Sequence, residues 1–126
     1  MSAEQLIESG VGSLVEGLGT GFARIGTRDK LSNRRQFKVE VLPQAVNGQA
    51  SVVVASIGRN ADVDAFSDAV SRSLLFTSIK PFTFVGEGGH VVMEVLSAQV
   101  ATGPEENNLA RDDVVMSCAY TYQLSG

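Results

Sequence analysis

The sequence predicts an α+β domain, a mostly antiparallel sheet with two helices packed on one face. Three observations carry this. Two stretches repeat apolar residues at helical spacing, over 6–18 and 63–74. Runs between and after them alternate or are rich in β-branched residues, in the order helix, strands, helix, strands. The last run, 114–124, puts Val114, Met116, Cys118, Tyr120, Tyr122 and Leu124 on one face over eleven positions, the period of two of a half-buried strand. With 126 residues and no internal repeat, positions 1–126 read as a single domain with one core.

Each element has its own signal. Ser2 and Gln5 form a capping-box pattern at the start of the first helix. Leu6, Ile7, Val11, Leu14, Val15 and Leu18 then make one apolar face. Gly10, Gly12 and Gly17 each weaken that helix by up to about 1 kcal/mol relative to Ala, so it depends on tertiary packing. The glycines of 17–21 end it. Residues 22–25 form a short strand or extended entry, and 26–36 read as a long polar loop without a clear period. Phe37, Val39 and Val41 alternate with Lys38 and Glu40 in a strand stopped by Pro43, and Asn47-Gly48 marks a hairpin turn. The run 50–57 carries Val52, Val53 and Val54 and reads as a central strand buried on both faces, ended by Gly58.

Asn60 or Asp62 caps the second helix, with Asp62 and Asp64 at the positive end of its dipole. Val63, Phe66, Ala69, Val70 and Leu74 form its buried stripe, which fades near Phe76 before Pro81. A short apolar run at 82–85, a glycine turn at 86–89 and a strand at 90–100 follow. The stretch 101–113 reads as a second polar loop, broken by Gly103-Pro104 and Asn107-Asn108.

Composition narrows the function. No apolar run approaches the roughly 20 residues that span a bilayer, and the start lacks the basic flank and apolar stretch of a secretory signal. The expectation is a protein made and kept in a cytosol, without a membrane partner. Cys118 has no second cysteine to pair with and reads as a small buried hydrophobe. His90 is the sole histidine, and no orienting partner is evident for a general base. Glu105-Glu106 and Asp112-Asp113 lack the interval of a calcium loop and read as acids that solvate a loop. The glycines of 17–21 end a helix instead of following a strand, and Gly86-Glu87-Gly88-Gly89 carries an acid, so neither reads as a phosphate loop. The expectation is therefore no enzyme, no cofactor and no metal.

The charge is two-sided. The formal charge of the whole chain is −4, made of +2 over residues 1–60 and −6 over residues 61–126. Most of the positive charge gathers in 24–38, as Arg24, Arg28, Lys30, Arg34, Arg35 and Lys38. Three readings stand for this stretch: a solvated mobile loop, a docking surface for an acidic protein, or a nucleic-acid-binding segment that uses the charge on phosphates. Only Phe22 and Phe37 flank it for base stacking. Arg28, Lys30, Arg34 and Arg35 are the candidate partner-docking residues.

In pattern and order, the chain resembles the tail-terminator and tail-completion proteins of tailed bacteriophages. The similarity runs from about Phe37 to the end, through Phe37-Lys38-Val39-Glu40-Val41-Leu42, Ser51-Val52-Val53-Val54-Ala55, the helix over 62–76, His90-Val91-Val92-Met93-Glu94-Val95 and Arg111-Asp112-Asp113 leading into 114–124. The glycine-rich helix and the basic stretch before Phe37 depart from it. The resemblance implies a structural virion protein without enzymatic activity. It implies a homo-oligomeric ring, a hexamer, that caps the tail tube and meets a head-completion or neck protein, with DNA passing through. A small ligand-binding or regulatory α+β domain, using a pocket beside 86–90, is the alternative, as is another neck or tail structural protein.

Overall fold

The computed structural model describes residues 2–75, 81–106 and 108–124, the side chains of Pro104 and Glu106 excepted. The first helix, α1 (Ala3–Glu16), starts where its cap requires. The Ser2 hydroxyl accepts the Gln5 N–H at 3.2 Å, and the Gln5 side chain accepts the Ser2 N–H at 2.9 Å. Both bonds occupy donors that a helix start otherwise leaves free. Gly17 caps the other end. Leu6, Ile7, Val11 and Val15 are buried as expected, while Leu14 lies on the exposed rim.

The strands are β1 (Ala23–Arg24), β2 (Gln36–Pro43), β3 (Gln49–Gly58), β4 (Phe82–Gly86), β5 (Gly89–Glu106) and β6 (Leu109–Leu124); α2 (Asn60–Leu75) lies between β3 and β4. They form one sheet in the order β1-β2-β3-β6-β5-β4. Every neighbouring pair is antiparallel except β1 with β2. The fold is thus the predicted α+β class, with a mostly antiparallel sheet. One face of it, through Phe37, Val39, Val52, Val54, Val91, Met93, Val114, Met116 and Cys118, shares a core with the buried stripes of both helices. Phe66 of α2 is its centre, with ring centroids 4.4 Å from Phe22 and 5.4 Å from Phe37. Each such aromatic pair adds about 0.5–1.5 kcal/mol beyond the area it buries.

The helix glycines prove to be packing positions. A Cβ on Gly10 would fall within the ring of Phe84, from edge strand β4. One on Gly12 would collide with the guanidinium of Arg24, from the opposite edge strand β1. Two residues along an α-helix turn the side-chain direction by about 200° and rise about 3 Å. The two sheet edges therefore press on opposite sides of α1 at nearly one level. In a flat six-stranded sheet those edges would lie about 24 Å apart, whereas the bare helix backbone is about 5 Å across. The sheet must curl around α1.

Several expectations need correction. The stretch 101–113 is not a loop: β5 continues through Gly103 to Glu106, and β6 begins at Leu109. Pairing overrides composition there, because Ala110–Asp113 lie against Ala55–Gly58 of β3 and Ala101–Gly103 lie against Arg111–Asp113. Gly103-Pro104 is absorbed at a register shift between Gly103 and Glu106, the place where a strand tolerates a missing N–H. Asn60 is already the first helical residue of α2 and the Val63 N–H bonds the Arg59 carbonyl, so the cap position falls on Arg59 and not on Asn60 or Asp62. Asp62 does lie in the first turn. On the stripe of α2, Ser67 is buried and Ala69 only half-buried. Strand β3 is buried on both faces only in its second half, since Ser51 and Val53 remain partly exposed. Phe76, where the helix was expected to fade, lies outside the described residues, as does Asn107.

Contrasting glycine substitutions test the clamp on α1. Gly10→Ala raises helix propensity yet is expected to destabilise the fold by about 1–3 kcal/mol, as overpacking does. Gly17→Ala meets only ordinary contacts at its helical φ of −68° and is expected to be neutral within about 0.5 kcal/mol. Urea denaturation of both variants gives the comparison.

Candidate functional site

The basic stretch has a fixed course. Leu31 is 1 % exposed and packs with Ala55 and Ile57 on the sheet face opposite the helices, with Ile25 and Leu109 at its rim. Backbone and side chains hold the turns on either side. Asp29 accepts the Gly26 N–H through its carboxylate at 3.0 Å and donates its own N–H to the Gly26 carbonyl at 3.0 Å. The Gln36 side-chain oxygen accepts the N–H groups of Ser32 and Asn33 at 3.1 and 3.0 Å. Thr27 donates to the Val39 carbonyl at 2.7 Å and touches the Glu8 carboxylate. The loop expected over 26–36 is free of helix and strand as far as Arg35, with Gln36 opening β2, and Leu31 makes it an anchored cover on one end of the sheet. Sequence periodicity missed it because a single leucine provides the anchor.

The six basic residues divide by their partners. Arg24 bonds the Glu8 carbonyl at 3.2 Å and pairs with Glu16 at 3.3 Å, so it serves the α1 contact. Lys38 bonds the Asp29 carbonyl at 3.1 Å and lies 3.4 Å from Glu40. Arg35 sits at a left-handed φ of 61°, unusual for a bulky residue. Its N–H donates to Ile57 and its carbonyl accepts from Ala23, which fixes that turn between β1 and β3. Its side chain is exposed but pairs with Asp62 at 3.4 Å. Arg28, Lys30 and Arg34 are exposed and form no ion pair among the described residues. Of the four candidate docking residues, these three carry charge that no ion pair among the described residues neutralises. Arg35 is in part structural.

Two further features lie outside the basic stretch, and the first adjoins the pocket expected beside 86–90. A groove of about 680 Å³ runs between α1 and edge strand β4, lined by Leu6, Gly10, Leu14, Phe82, Phe84 and Val85 among others. It reaches Gly86 and Glu87, but His90 does not line it. His90 lies half-buried on β5, between Val85 and Gln123 across the ladder. Asp112, expected on a solvated loop, is buried and accepts the Ser67 hydroxyl at 3.2 Å. Burial raises its carboxyl above the usual range. The Ser67 bond opposes that rise, and the neighbouring charges of Asp64 and Asp113 add to it. The signal was present in the sequence: two steps back from Val114 along the core face of β6 is Asp112. Cys118 is buried, and burial pushes its thiol up to about 12. Among the described residues, no three His, Cys, Asp or Glu side chains converge on a metal position, and no helix is long and apolar enough to cross a membrane.

Compared with known proteins, the chain matches no family model, and no curated protein matches it significantly in sequence.

Two measurements probe this surface. Leu31→Ala is expected to cost about 2–3 kcal/mol, toward the low end for a buried leucine because its cluster is small. It should also open 26–35 to limited proteolysis well before global unfolding. For Asp112 the sign follows from its raised folded-state value. Its stabilising contribution is complete below the unfolded value, about 4, and is lost as pH rises through the folded one. Asp112→Asn keeps an acceptor for Ser67 but removes that loss. Its melting temperature relative to the parent should climb as pH rises from about 4 and level off once the pH has passed the raised folded-state value.

Proposed function

We propose that this chain is a structural virion protein, a tail terminator of a tailed bacteriophage. In this reading it forms a homo-oligomeric ring, a hexamer, that caps the tail tube and joins it to a head-completion or neck protein. It acts without enzymatic chemistry or cofactor, is assembled in the host cytoplasm, and ends in the tail or neck of the virion. DNA passes through the ring. The observation that carries the reading is the set of cations Arg28, Lys30 and Arg34, without an ion pair among the described residues and displayed on a cover that Leu31 holds against the sheet. Charges fixed on a rigid scaffold lose little entropy when they meet an acidic surface, and they steer its approach. The order of elements from Phe37 onward supports the same reading through its resemblance to tail terminators.

A second reading rests on the groove between α1 and β4. Its volume of about 680 Å³ falls within the range of small-molecule sites, so a ligand-binding or regulatory domain would use it. A small molecule that co-purifies with the chain and raises its melting temperature would favour this alternative.

The test of the first reading is tail completion. The triple variant Arg28→Glu, Lys30→Glu, Arg34→Glu is expected to fold, since none of the three is paired, and to lower attachment to tail tubes by about tenfold or more. Arg35 is better left intact, because a glutamate there would face Asp62. Normal tail completion by the triple variant would sink the assignment of these residues. A parent chain that stays monomeric at high concentration, with or without tails, would sink the ring.

A further inference from the structure

Among the described residues the sheet leaves two strand edges open, one on each side. On one side, β1 pairs only with Gln36 and Phe37, so the outer edge of β2 from Glu40 to Pro43 has no strand partner among the described residues. On the other, β4 stops at Met93, and β5 runs on to Glu106 with no strand on that edge among the described residues. An open edge is a row of unpaired N–H and C=O groups, a template for another chain. Proteins usually blunt such edges with charge, most often lysine. Here charge lies only at the ends: Glu40 begins the open stretch of β2, and Glu94, Glu105 and Glu106 bracket that of β5. The sequence has no charged residue from Val41 to Gly58, nor from Val95 to Pro104. Pro43 and the two register shifts of β5 bound the open stretches but leave their middles free.

Four exposed apolar side chains lie at these two places, while Val85 and Leu124, more exposed still, lie elsewhere. Leu42 and Val46 lie on β2 and the turn after it, and Leu96 and Val100 lie on β5; each is between 49 % and 58 % exposed. The strand directions are also matched. Counting across β2-β3-β6-β5, each neighbour is antiparallel, so β2 and β5 run in opposite senses. A second copy in the same orientation therefore presents its β2 antiparallel to the first copy's β5. Both halves of one contact are present on one chain, on opposite edges.

We infer that the open edge of β5, centred on Leu96–Gly103, binds the open β2 edge of a second copy of this chain and continues the sheet from one copy to the next. The contact is heterologous, one surface meeting a different one, so it closes into a ring or grows as an open chain according to the rotation between copies. It rests on the ring reading above only for closure. The cationic cover is then left free for the tail tube.

The test uses charge and directed cross-linking. In sedimentation at rising concentration the parent chain should associate. Leu42→Lys alone and Val100→Lys alone should each weaken association by about tenfold or more, as a lysine on a strand edge does, with unchanged circular dichroism. Gln99 and Leu42 are both exposed on the face away from the helices, and the native Cys118 is buried. Leu42→Cys and Gln99→Cys chains, treated separately with a short bis-maleimide, should remain uncoupled, while their mixture should couple one to one. Self-coupling of Gln99→Cys would replace this contact with a twofold one. A mixture that fails to couple, lysine variants that associate as the parent does, or a parent that never associates would each overturn the inference. Failure of the tail-terminator reading is distinct: rings that assemble normally with the lysine variants leave that reading standing, and coupled chains that ignore tail tubes refute it while the contact survives.

Discussion

The structure depends on one close approach, the seating of α1 between the two ends of its own sheet. Phe84 from β4 and Arg24 from β1 come against Gly10 and Gly12 with no room for a Cβ. The curl that this approach requires lets two helices, of 14 and 16 residues, cover one face of the sheet. Arg24 shows how tightly the pieces interlock. Its guanidinium lies over Gly12, bonds the Glu8 carbonyl and pairs with Glu16, so a sheet-edge cation is consumed by the helix. At Gly10 the intrinsic cost of glycine in a helix, about 1 kcal/mol, is offset by packing against the Phe84 ring that a Cβ would block, whereas at Gly12 the neighbour is the flexible end of Arg24.

Curling also decides what the opposite face can do. With both helices on the concave side, the outer face is covered at one end alone, by the cationic cover that Leu31 anchors. The cover fixes the positions of Arg28, Lys30 and Arg34 relative to the strands, which turns a charge excess in the composition into a defined surface. Elsewhere that face mixes small and polar residues such as Ser51, Ser117 and Thr121 with valines such as Val53 and Val115. The apolar side chains left in water lie mainly at the sheet's rims. An assembly protein can divide its surface in this way, with charge for one partner and strand edges for another.

Much of the fold was legible because its signals are local. The Ser2–Gln5 capping box, the Asn47-Gly48 turn and the alternation of 114–124 each rest on backbone geometry within a few residues, and each is realised. The failures share a cause as well. Residues 101–113 are polar and contain Gly103-Pro104, yet β3 and β6 hold them in strands through a ladder that local composition does not record. Leu31 is one apolar residue in a polar run, and its burial depends on Ala55 and Ile57, far along the chain. The candidate site was read as a cluster of like charges. Which of them are spent on Glu16, Glu40 and Asp62 was decided by neighbours brought in from other elements.

By itself, then, the sequence determined the α+β class, the helix faces, the core strand and the place where positive charge collects, because periodicity and capping act over a few residues. Only the tertiary structure decided why α1 carries glycines, which cations remain unpaired, why Asp112 is buried, and where the sheet's open edges lie. Those outcomes come from close approach and pairing between segments distant along the chain, where a side chain's role is set by what folding places against it.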